Sequence, residues 1–549
     1  MAHNMQNYEE TVKNFKIDVP VYYNFGFDVI DKWAEDRSKL ALIWVDTDGD
    51  THQKYTFYDL MKMSNKFANV LRAKGFKKGD KLYVMVPRIP DWYSVMLGCF
   101  KVGVIPMPAP KILKPKDIKY RIDAAEAKGA VVHVESVDKF EGLELPSLQE
   151  KIVIGGKYED WEDFDELMSK ASDKLNKEEV EPTKSTDPLI IYFTSGTTKF
   201  PKMVMHEHSY ALAHLITAKF WQDLTPKDLH WTLSDTGWGK AVWGKMFGQW
   251  IIGTTVLMHN AADKFDPEKH LYIMEKYGVT TFCAPPTAYR MLILQDLKKY
   301  DFSQLRHSIS AGEPLNPEVI RIWKEYTGTT IYDGYGQTET VNTIANFPCL
   351  KIKPGSMGKP TPGFHVDIVD DDGKPVPVGE VGHIAIKVKP DHPIGVFKGY
   401  YKNEEATKEA FRGDWYFTGD KAYKDEDGYF WFVGRADDVI KASGYRIGPF
   451  EVESALQSHP AVAESAVVGS PDKIRGTIVK AFIVLKPGFE PSDELVKDIQ
   501  EHVKRETAPY KYPREVEFVK ELPKTVSGKI RRVELRKMEE ERKLRGGNN

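Results

Sequence analysis

The chain has 549 residues and a formal net charge of −3, with 77 lysines and arginines against 80 aspartates and glutamates. Its length exceeds what one hydrophobic core usually organises, and its balanced charge excludes a general nucleic-acid-binding protein, whose domains are strongly basic. Three scattered cysteines, Cys99, Cys283 and Cys349, exclude a disulfide framework and a CxxC metal site. The N-terminus lacks the pattern of a signal peptide and no run of about 18 uncharged apolar residues occurs, so we expect a soluble cytoplasmic protein without membrane or nucleic-acid partners.

Short β-branched runs alternate with helical patterns through most of the chain. Thr56 is suited to cap a helix, which Gly75 would end, and a strand-like run at residues 81–86 follows it. Further apolar runs predict strands at residues 129–134, 189–193, 254–258 and 307–310. Alternation of strand and helix predicts layered α/β structure with largely parallel sheets.

From about Pro362 the pattern changes. Short strands at residues 365–369, 381–388 and 429–433, separated by Asp-Asp-Gly and Glu-Asp-Gly turns, predict a small antiparallel, barrel-like element. Beyond Gly434, a helix from about residue 450, strands at 463–468 and 479–484, and a helix at 492–506 predict a separate α+β unit. We therefore expect a large N-terminal domain over residues 1–434 and a small C-terminal domain over residues 435–549.

One apolar run leads directly into a loop rich in hydroxyls and lysines. The loop contains Thr194, Ser195, Gly196, Thr197 and Thr198, followed by Lys199 and Lys202. Hydroxyls, a glycine backbone that allows close approach, and lysines that balance charge are what a polyphosphate requires. The spacing is not that of a Walker A loop, and a solvated Ser/Thr turn is the alternative for this segment by itself.

Four more segments carry chemically active residues. Residues 332–339 contain two glycines, an amide, a hydroxyl and a carboxylate, and residues 416–420 end in Asp420, which is suited to accept hydrogen bonds from ribose hydroxyls. Residues 434–446 are dense in charge and glycine at the expected domain junction. Residues 523–529 place Lys529 after a Ser-Gly turn near the C-terminus.

In their order and spacing, these five segments resemble the adenylate-forming superfamily of acyl-CoA synthetases, peptide-synthetase adenylation domains and luciferases, over about residues 25–535. Residues 234–238, 334–339, 435–438 and 508–514 are most similar to medium-chain acyl-CoA synthetases. The resemblance implies an AMP-forming acid–thiol ligase of fatty acid metabolism that uses ATP, Mg²⁺ and coenzyme A. A stand-alone adenylation enzyme that loads a carrier protein and a non-catalytic nucleotide-binding regulator are the alternatives; the CoA-associated positions disfavour the first, and Lys529 with Glu339 disfavours the second.

The resemblance also implies a role for each matching residue. Residues 194–198 and Lys202 would wrap the β- and γ-phosphates, Thr338 would contact the α-phosphate, Glu339 would hold Mg²⁺, and Lys529 would bridge the substrate carboxylate and the α-phosphate. The other nucleotide-binding residues would be Gly312, Glu313, Pro314, Asp333, Gly334, Tyr335, Gly336 and Gln337, with Asp420 and Arg435 at the ribose. Asp437 would be the hinge of the small domain. Coenzyme A would meet Ser443, Gly444, Tyr445, Arg446, Arg475, Tyr510, Lys511 and Tyr512.

The acyl pocket is the least determined part. Acetate-specific relatives carry tryptophan at the position of Gly336, so the glycine predicts an open pocket floor for a medium-chain, branched or aryl acid, with Trp238 as a second acyl-binding residue. A glycine needed only for backbone geometry is the alternative at position 336. Lys199 replaces the usual glycine of the phosphate loop, and Lys240 is either a solvated cation or a polar group at the pocket mouth. We expect His206 and His208 to be surface or core histidines rather than metal ligands, and Trp243 and Trp250 to share a packed helix face.

Overall fold

The structure is a computed structural model that describes residues 3–194, 201–261, 264–442, 445–472, 476–524 and 529–546, without the side chains of 441, 445, 446 and 544–546. Its α-helices, α1 to α16, are Tyr8–Asn14, Phe57–Ala73, Pro90–Val102, Pro115–Ala125, Val134–Val137, Phe164–Lys170, His208–Ile216, Gly239–Lys245, Phe247–Ile252, Pro267–Tyr277, Pro286–Leu292, Pro317–Thr327, Glu404–Ala410, Pro449–Gln457, Asp493–Glu506 and Arg532–Gly546. Its strands, β1 to β26, are Leu40–Val45, His52–Thr56, Lys81–Met85, Ile105–Pro108, Gly129–His133, Glu150–Ile154, Glu162–Asp163, Pro188–Thr194, Lys202–Glu207, Leu229–Thr232, Thr255–His259, Thr281–Ala284, His307–Ala311, Ile331–Tyr335, Ile344–Ala345, Lys359–Pro360, Val366–Val369, Gly382–Lys387, Phe411–Arg412, Trp415–Lys424, Phe430–Arg435, Ile440–Ala442, Tyr445–Ile447, Val462–Asp472, Gly476–Leu485 and Glu515–Phe518.

Two large sheets form the N-terminal part. The nine-stranded sheet has the order β16-β15-β14-β13-β12-β10-β11-β1-β2, and its strands from β14 to β1 are parallel. The second sheet, β4-β3-β5-β6-β7, is parallel throughout. Helices cover these sheets, as parallel sheets buried on both faces require. The predicted layered α/β fold is confirmed.

The signal for α2 shows how local sequence positions these layers. Thr56 Oγ1 accepts a hydrogen bond from the Asp59 amide, and the Asp59 carboxylate accepts from the Thr56 amide, which completes a capping box. Leu60 and Phe67 are fully buried on the face that packs against α3. Gly75 follows the helix with φ +72°, a backbone conformation that glycine adopts without strain.

Strand β8 departs from the expected parallel arrangement. It pairs antiparallel with β9 in a two-stranded sheet, with Thr194 opposite Lys202. The loop between these two residues is too short for a parallel connection, which needs about a dozen residues. The predicted phosphate loop therefore closes a hairpin.

The arrangement of Trp243 and Trp250 also differs from expectation. The helical backbone is interrupted at Met246, which has φ −148° and ψ −78°. Trp243 therefore lies on α8 and Trp250 on α9, and the two do not share one helix face. Trp250 is fully buried and Trp243 is partly buried.

The last part of the chain forms smaller β-rich units. Strands β17 to β21 make one five-stranded antiparallel sheet, as the turn-rich pattern predicts. The sheet β24-β25-β26 with α14, α15 and α16 follows, and Ile447, Val452 and Ile483 belong to its separate core. Strand β21 extends through Arg435, one residue past the expected domain boundary, which stays a prediction. Among the described residues, no helix combines the length and apolar character needed to cross a membrane.

Candidate active site

The adjacent strands β13 and β14 end at the same edge of the large sheet. Ala311 lies opposite Gly334 in their parallel register, so the residues that follow each strand come together. In open α/β sheets this carboxyl edge is where ligands bind. Gly312 lies there with φ +111°, and a Cβ at this position would have no neighbour within 4 Å. The Glu313 carboxylate accepts from Arg290 at 3.5 Å and from Thr287 at 3.3 Å. Residues 312–314 and 333–337 thus form one surface.

Asp420 joins this surface from the barrel-like sheet. Its Oδ2 accepts hydrogen bonds from the Tyr335 hydroxyl at 2.7 Å and from Gln337 Nε2 at 2.8 Å. Tyr416 donates to Gln337 Oε1 at 2.9 Å, which fixes the orientation of the amide. Asp420 also lies opposite Arg435 in the β20–β21 ladder. Burial raises the pKa of Asp420, and the Tyr335 hydroxyl and Arg435 oppose that rise.

The Thr338–Glu339 turn is held from three sides. The Thr338 carbonyl accepts a hydrogen bond from His206 Nε2 at 2.6 Å, the Glu339 carbonyl accepts from the Phe397 amide at 2.9 Å, and Glu339 Oε1 accepts from the Tyr400 hydroxyl at 2.9 Å. Burial raises the pKa of Glu339. His206 and Tyr400, which contact this turn through their side chains, lie far from it in the sequence.

Glu339 satisfies what a nucleotide-bound Mg²⁺ requires from a protein. Mg²⁺ is usually held by one or two carboxylates together with substrate phosphates and water rather than by a full protein cage. Glu339 supplies one buried carboxylate beside the turn, and the described residues contain no cluster of three acidic, histidine or cysteine side chains. The residues present therefore fit a metal ion that binds together with its nucleotide.

The histidines near the phosphate hairpin are core residues, one of the two expected alternatives. His206 and His208 are both almost completely buried. Burial lowers the pKa of His206 to about 4, so its imidazole is neutral and its Nε2 proton is assigned from the Thr338 carbonyl that accepts it. Tyr210 stacks on the His206 ring with a centroid distance of 3.7 Å. His206 therefore positions the backbone of Thr338.

The phosphate hairpin contributes Thr194 and Lys202 to the described site. Ser195, Gly196, Thr197, Thr198 and Lys199 lie outside the described residues. The Lys202 ammonium lies over the Tyr400 ring, 4.4 Å from its centroid. Lys202 is thereby held next to the residue that bonds Glu339.

Lys529, from the far end of the chain, lies within electrostatic range of Asp420 and of Lys240 and influences the pKa of both. Lys240 Nζ donates to the Ala311 carbonyl at 3.0 Å, and burial, together with Lys529, lowers its pKa. Lys240 is thus a partly buried, hydrogen-bonded cation beside the end of β13, and its place at the pocket mouth stays a prediction.

Aromatic rings line the region beside Lys240. Its ammonium lies 5.6 Å from the centroid of the Trp243 ring, and Trp243 packs against Trp221 at 5.8 Å. Trp221 donates to the Tyr332 carbonyl and approaches Gly334 so closely that a Cβ there would lie 2.5 Å from the indole. Sequence reasoning missed the contribution of Trp221, because only the sheet order brings it under the β14 motif.

Gly336 does not open the pocket floor as expected. A Cβ at this position would lie 2.6 Å from the carbonyl oxygen of Val341 and 3.3 Å from the Cα of Asn342. These are backbone atoms, which have no side-chain freedom with which to move aside. Gly336 therefore permits close backbone approach, and the alternative reading of a glycine needed for backbone geometry applies.

The segment containing Trp238 is fixed by its backbone. Gly237 packs so tightly on residues 109 and 110 that a Cβ would lie 2.0 Å from the Pro110 nitrogen. Trp238 is half-buried at the N-cap of α8, and Lys245 Nζ donates to the Ser234 carbonyl at 2.7 Å. Burial lowers the pKa of Lys245 to about 7. The acyl-binding role of Trp238 stays a prediction.

The expected CoA and hinge residues lie on the small unit. Ser443, Gly444 and Arg475 lie outside the described residues, and Tyr445 and Arg446 are described only by their backbone in β23. Tyr510 is exposed, Lys511 pairs with Glu451, and Tyr512 accepts from Arg514 at 2.8 Å and lies below Lys504. Asp437 is exposed in the turn between β21 and β22. These roles also stay predictions.

Comparison with known proteins adds independent information. The sequence pattern described as "AMP-binding enzyme" matches residues 30–401, and "AMP-binding enzyme C-terminal domain" matches residues 451–529. Acyl-coenzyme A synthetase ACSM3, mitochondrial, of Homo sapiens is 46% identical over 98% of this chain and 93% of its own length. The human ACSM4 protein is 46% identical over 96% and 93%.

Solved structures agree in fold. The anthranilate CoA ligase AuaEII, in complex with anthranoyl-AMP, superposes with a TM-score of 0.88 and 33% identity over 96% of this chain and 99% of its own. A benzoate CoA ligase from Burkholderia xenovorans LB400 gives 0.82 and 26% over 94% and 100%.

The fold and the site together define an enzyme that activates a substrate with a nucleotide at the carboxyl edge of a parallel sheet. The matched regions and the full-length relatives make the assignment specific: this chain belongs to the family of AMP-binding enzymes. The resemblance seen in the sequence is confirmed.

Proposed function

We propose that this chain is an AMP-forming acyl-CoA synthetase. It couples a carboxylic acid to ATP, giving acyl-AMP and pyrophosphate, and then transfers the acyl group to coenzyme A with release of AMP. The observation that carries the proposal is that Lys529 lies within electrostatic range of Asp420 and Lys240, beside the surface formed by residues 312–314 and 333–337. Lys529, near the C-terminus, therefore lies close to the groups that we assign to nucleotide binding.

The first half-reaction explains the need for that cation. A carboxylate that attacks the α-phosphate joins two anions, so positive charge must compensate the charge that concentrates in the transition state. Lys529 bridges the carboxylate and the α-phosphate, Thr338 contacts the α-phosphate, and Asp420 with Arg435 holds the ribose. Glu339 would hold Mg²⁺, which would neutralise part of the phosphate charge.

The second half-reaction uses a different surface. The CoA thiol attacks the mixed anhydride, a step that does not need Lys529. Rotation of the small unit about Asp437 would withdraw Lys529 and present Tyr445, Arg446 and the region around Tyr510 instead. The exposed position of Asp437 supports this hinge, and the neighbouring Asp438, which pairs with Arg536 of α16, would move with the small unit.

The acyl substrate is proposed to be a medium-chain, branched or aryl acid. The partly buried ring of Trp243, which packs on the buried Trp221, supplies apolar area for such a group, with Lys240 beside it. The relatives named above include acyl-CoA synthetases and ligases for anthranilate and benzoate, which supports an aliphatic or an aryl acid. Trp238 is proposed as a further wall of the pocket.

A panel of acids tests the activity and separates the alternatives. AMP release is measured with ATP, Mg²⁺ and acetate, butyrate, hexanoate, octanoate, 2-methylpropionate or benzoate, each with and without CoA. A synthetase releases AMP continuously only with CoA and forms the matching thioester. Turnover that depends on a phosphopantetheinyl carrier protein would favour the stand-alone adenylation enzyme, and ATP binding without turnover would favour the regulator.

The cytoplasmic location and the role in fatty acid metabolism also belong to this proposal. The cysteines at 99, 283 and 349 are all unpaired, which suits a reducing compartment. The ACSM3 and ACSM4 relatives named above are mitochondrial proteins, so the mitochondrion is the competing location. Fractionation of cells that express the tagged chain distinguishes the two.

A further inference from the structure

Tyr400 lies between two parts of the nucleotide site that come from different sheets. Its hydroxyl donates to Glu339 Oε1 at 2.9 Å, and its ring lies 4.4 Å below the Lys202 ammonium. Its backbone forms a β-bridge with Val204, two residues beyond Lys202 in the phosphate hairpin. The preceding Phe397 amide donates to the Glu339 carbonyl at 2.9 Å. One short segment therefore contacts the metal-binding carboxylate and the phosphate-binding lysine.

The surroundings hold the Tyr400 ring in place. Phe397 packs against it at 4.9 Å, and Phe397 in turn packs against Tyr416 at 5.3 Å. A carboxylate whose Oε1 is bonded cannot rotate freely, so the direction of its Oε2 is also set. A lysine ammonium has no preferred direction of its own, and an aromatic face beneath it supplies one.

We propose that Tyr400 is a positioning residue that couples Glu339 to Lys202. Its hydroxyl orients the carboxylate for Mg²⁺, and its ring holds the lysine where the phosphates bind, so that metal and triphosphate are accepted as one ligand. The proposal rests on the proposed function, because it assumes that ATP and Mg²⁺ bind at this site.

Two substitutions separate the two contacts. Tyr400→Phe removes the hydroxyl and keeps the ring, whereas Tyr400→Leu removes both. ATP binding is measured by titration calorimetry with Mg²⁺ and, separately, with EDTA, and metal binding is measured with Mn²⁺ and ATP by electron paramagnetic resonance. Tyr400→Phe should weaken ATP binding by roughly tenfold with Mg²⁺ and leave binding in EDTA unchanged, the size expected for one lost hydrogen bond to a charged group. Tyr400→Leu should weaken ATP binding both with Mg²⁺ and with EDTA.

The neighbouring Tyr401 supplies a matched control. Its ring lies near Lys81 rather than Lys202, and its amide donates to the Met203 carbonyl. Tyr401→Phe should therefore bind ATP normally with and without Mg²⁺. Equal losses in Mg²⁺ and EDTA for Tyr400→Phe, or no loss in either, would overturn the proposal.

A double-mutant cycle tests the coupling without any change at Tyr400. Lys202→Met and Glu339→Gln are combined, and ATP affinity with Mg²⁺ is measured for each. Coupling through Tyr400 predicts a combined loss that differs from the product of the single losses by at least about threefold. Independent, multiplicative losses would contradict it. Because the readout is binding, a protein that binds ATP and Mg²⁺ but forms no acyl-CoA refutes the proposed function and leaves this test intact.

Discussion

At the residue scale, the proposed division into two half-reactions depends on Lys529. It is exposed to solvent yet lies within electrostatic range of Asp420 and Lys240. Its position after the last strand of the small unit means that the unit's orientation decides whether the lysine is present at the site. Removing it tests chemistry and domain arrangement together.

Lys529→Ala should lower acyl-AMP formation by roughly 10²-fold, the scale of losing a group that stabilises transition-state charge. Thioester formation from supplied acyl-AMP and CoA should be nearly unchanged, because the thiol step does not use the lysine. Both half-reactions are followed by rapid-quench assays. Lys524→Ala, in the same segment but paired with Glu464 at 2.8 Å, is the control and should retain adenylation. Equal losses in both steps would refute the division of roles.

Gly336 shows why a sequence position does not reveal its own surroundings. Gly336→Ala would push a methyl carbon to 2.6 Å from the Val341 carbonyl oxygen, so the backbone must shift. We expect a lower thermal midpoint and a similar proportional loss of kcat/KM for acetate, butyrate, hexanoate and octanoate. Gly239→Ala is the comparison for stability, because its Cβ would meet only Tyr192 at 3.9 Å. If Gly336→Ala lowered kcat/KM only for the longer acids, Gly336 would instead form the floor of the acyl pocket.

At the scale of elements, the small unit depends on a buried charge network that holds α16 against its sheet. Lys480 on β25 contacts Glu539 of α16 at 2.7 Å and Glu517 of β26 at 2.9 Å. Glu539 is 1% exposed and also accepts from Ser470 at 3.0 Å. Lys480 is the nearest cation to this buried carboxylate, with Arg542 and Lys543 farther away at 3.9 Å, so losing Lys480 should be costly.

Lys480→Met should destabilise the docked α16 by about 3 kcal/mol, because it leaves Glu539 buried without its nearest cation. Hydrogen exchange of the amides in α16 measures this. The double variant Lys480→Met, Glu539→Met should recover much of the loss, since an apolar pair of similar volume often replaces a buried ion pair. Lys497→Met, at an exposed position of α15, is the control and should change protection by less than about 0.5 kcal/mol. Unchanged protection in Lys480→Met would mean that the network does not hold the helix.

At the scale of the whole molecule, the two matched regions contact each other beside the site. Asn316, at the start of α12, donates to Gln457, at the end of α14, at 3.2 Å. The negative charge of Glu313, on the nucleotide surface, also contributes to raising the pKa of Arg532 at the start of α16. In this arrangement Lys529 lies within electrostatic range of Asp420, as the proposed adenylation step requires.

Cross-linking the two regions should separate the half-reactions. Glu318→Cys and Gln457→Cys place thiols on α12 and α14 near that contact without removing Asn316, which caps α12. After treatment with a short bismaleimide, acyl-AMP formation should persist while CoA-dependent turnover falls to that of the uncross-linked fraction. The single-cysteine variants, treated identically, control for modification of native cysteines. Full turnover in the cross-linked protein would exclude a large rotation.

Much of the fold and the family follow from local signals. The capping box at Thr56, the apolar strands and the glycine-rich turns predict the layered sheets and the barrel-like element, because caps and periodicity are decided within a few residues. The motifs around Asp420, Glu339 and Lys529 likewise indicate adenylate chemistry, since the groups that bind phosphate and ribose are recognisable by type and order.

What the tertiary structure decided concerns partners that are far apart in the chain. Tyr400 meets Glu339 across 61 positions and His206 meets Thr338 across 132, and neither pair has a sequence signature. The hairpin of β8 and β9, the hydrogen bond from Lys240 to Ala311 and the tight packing at Gly336 were likewise decided by the order of strands in space. Sequence determines which chemical groups are available and which elements form, because those depend on neighbours along the chain. Which groups share one site depends on how the sheets stack, because burial brings distant segments within hydrogen-bonding distance.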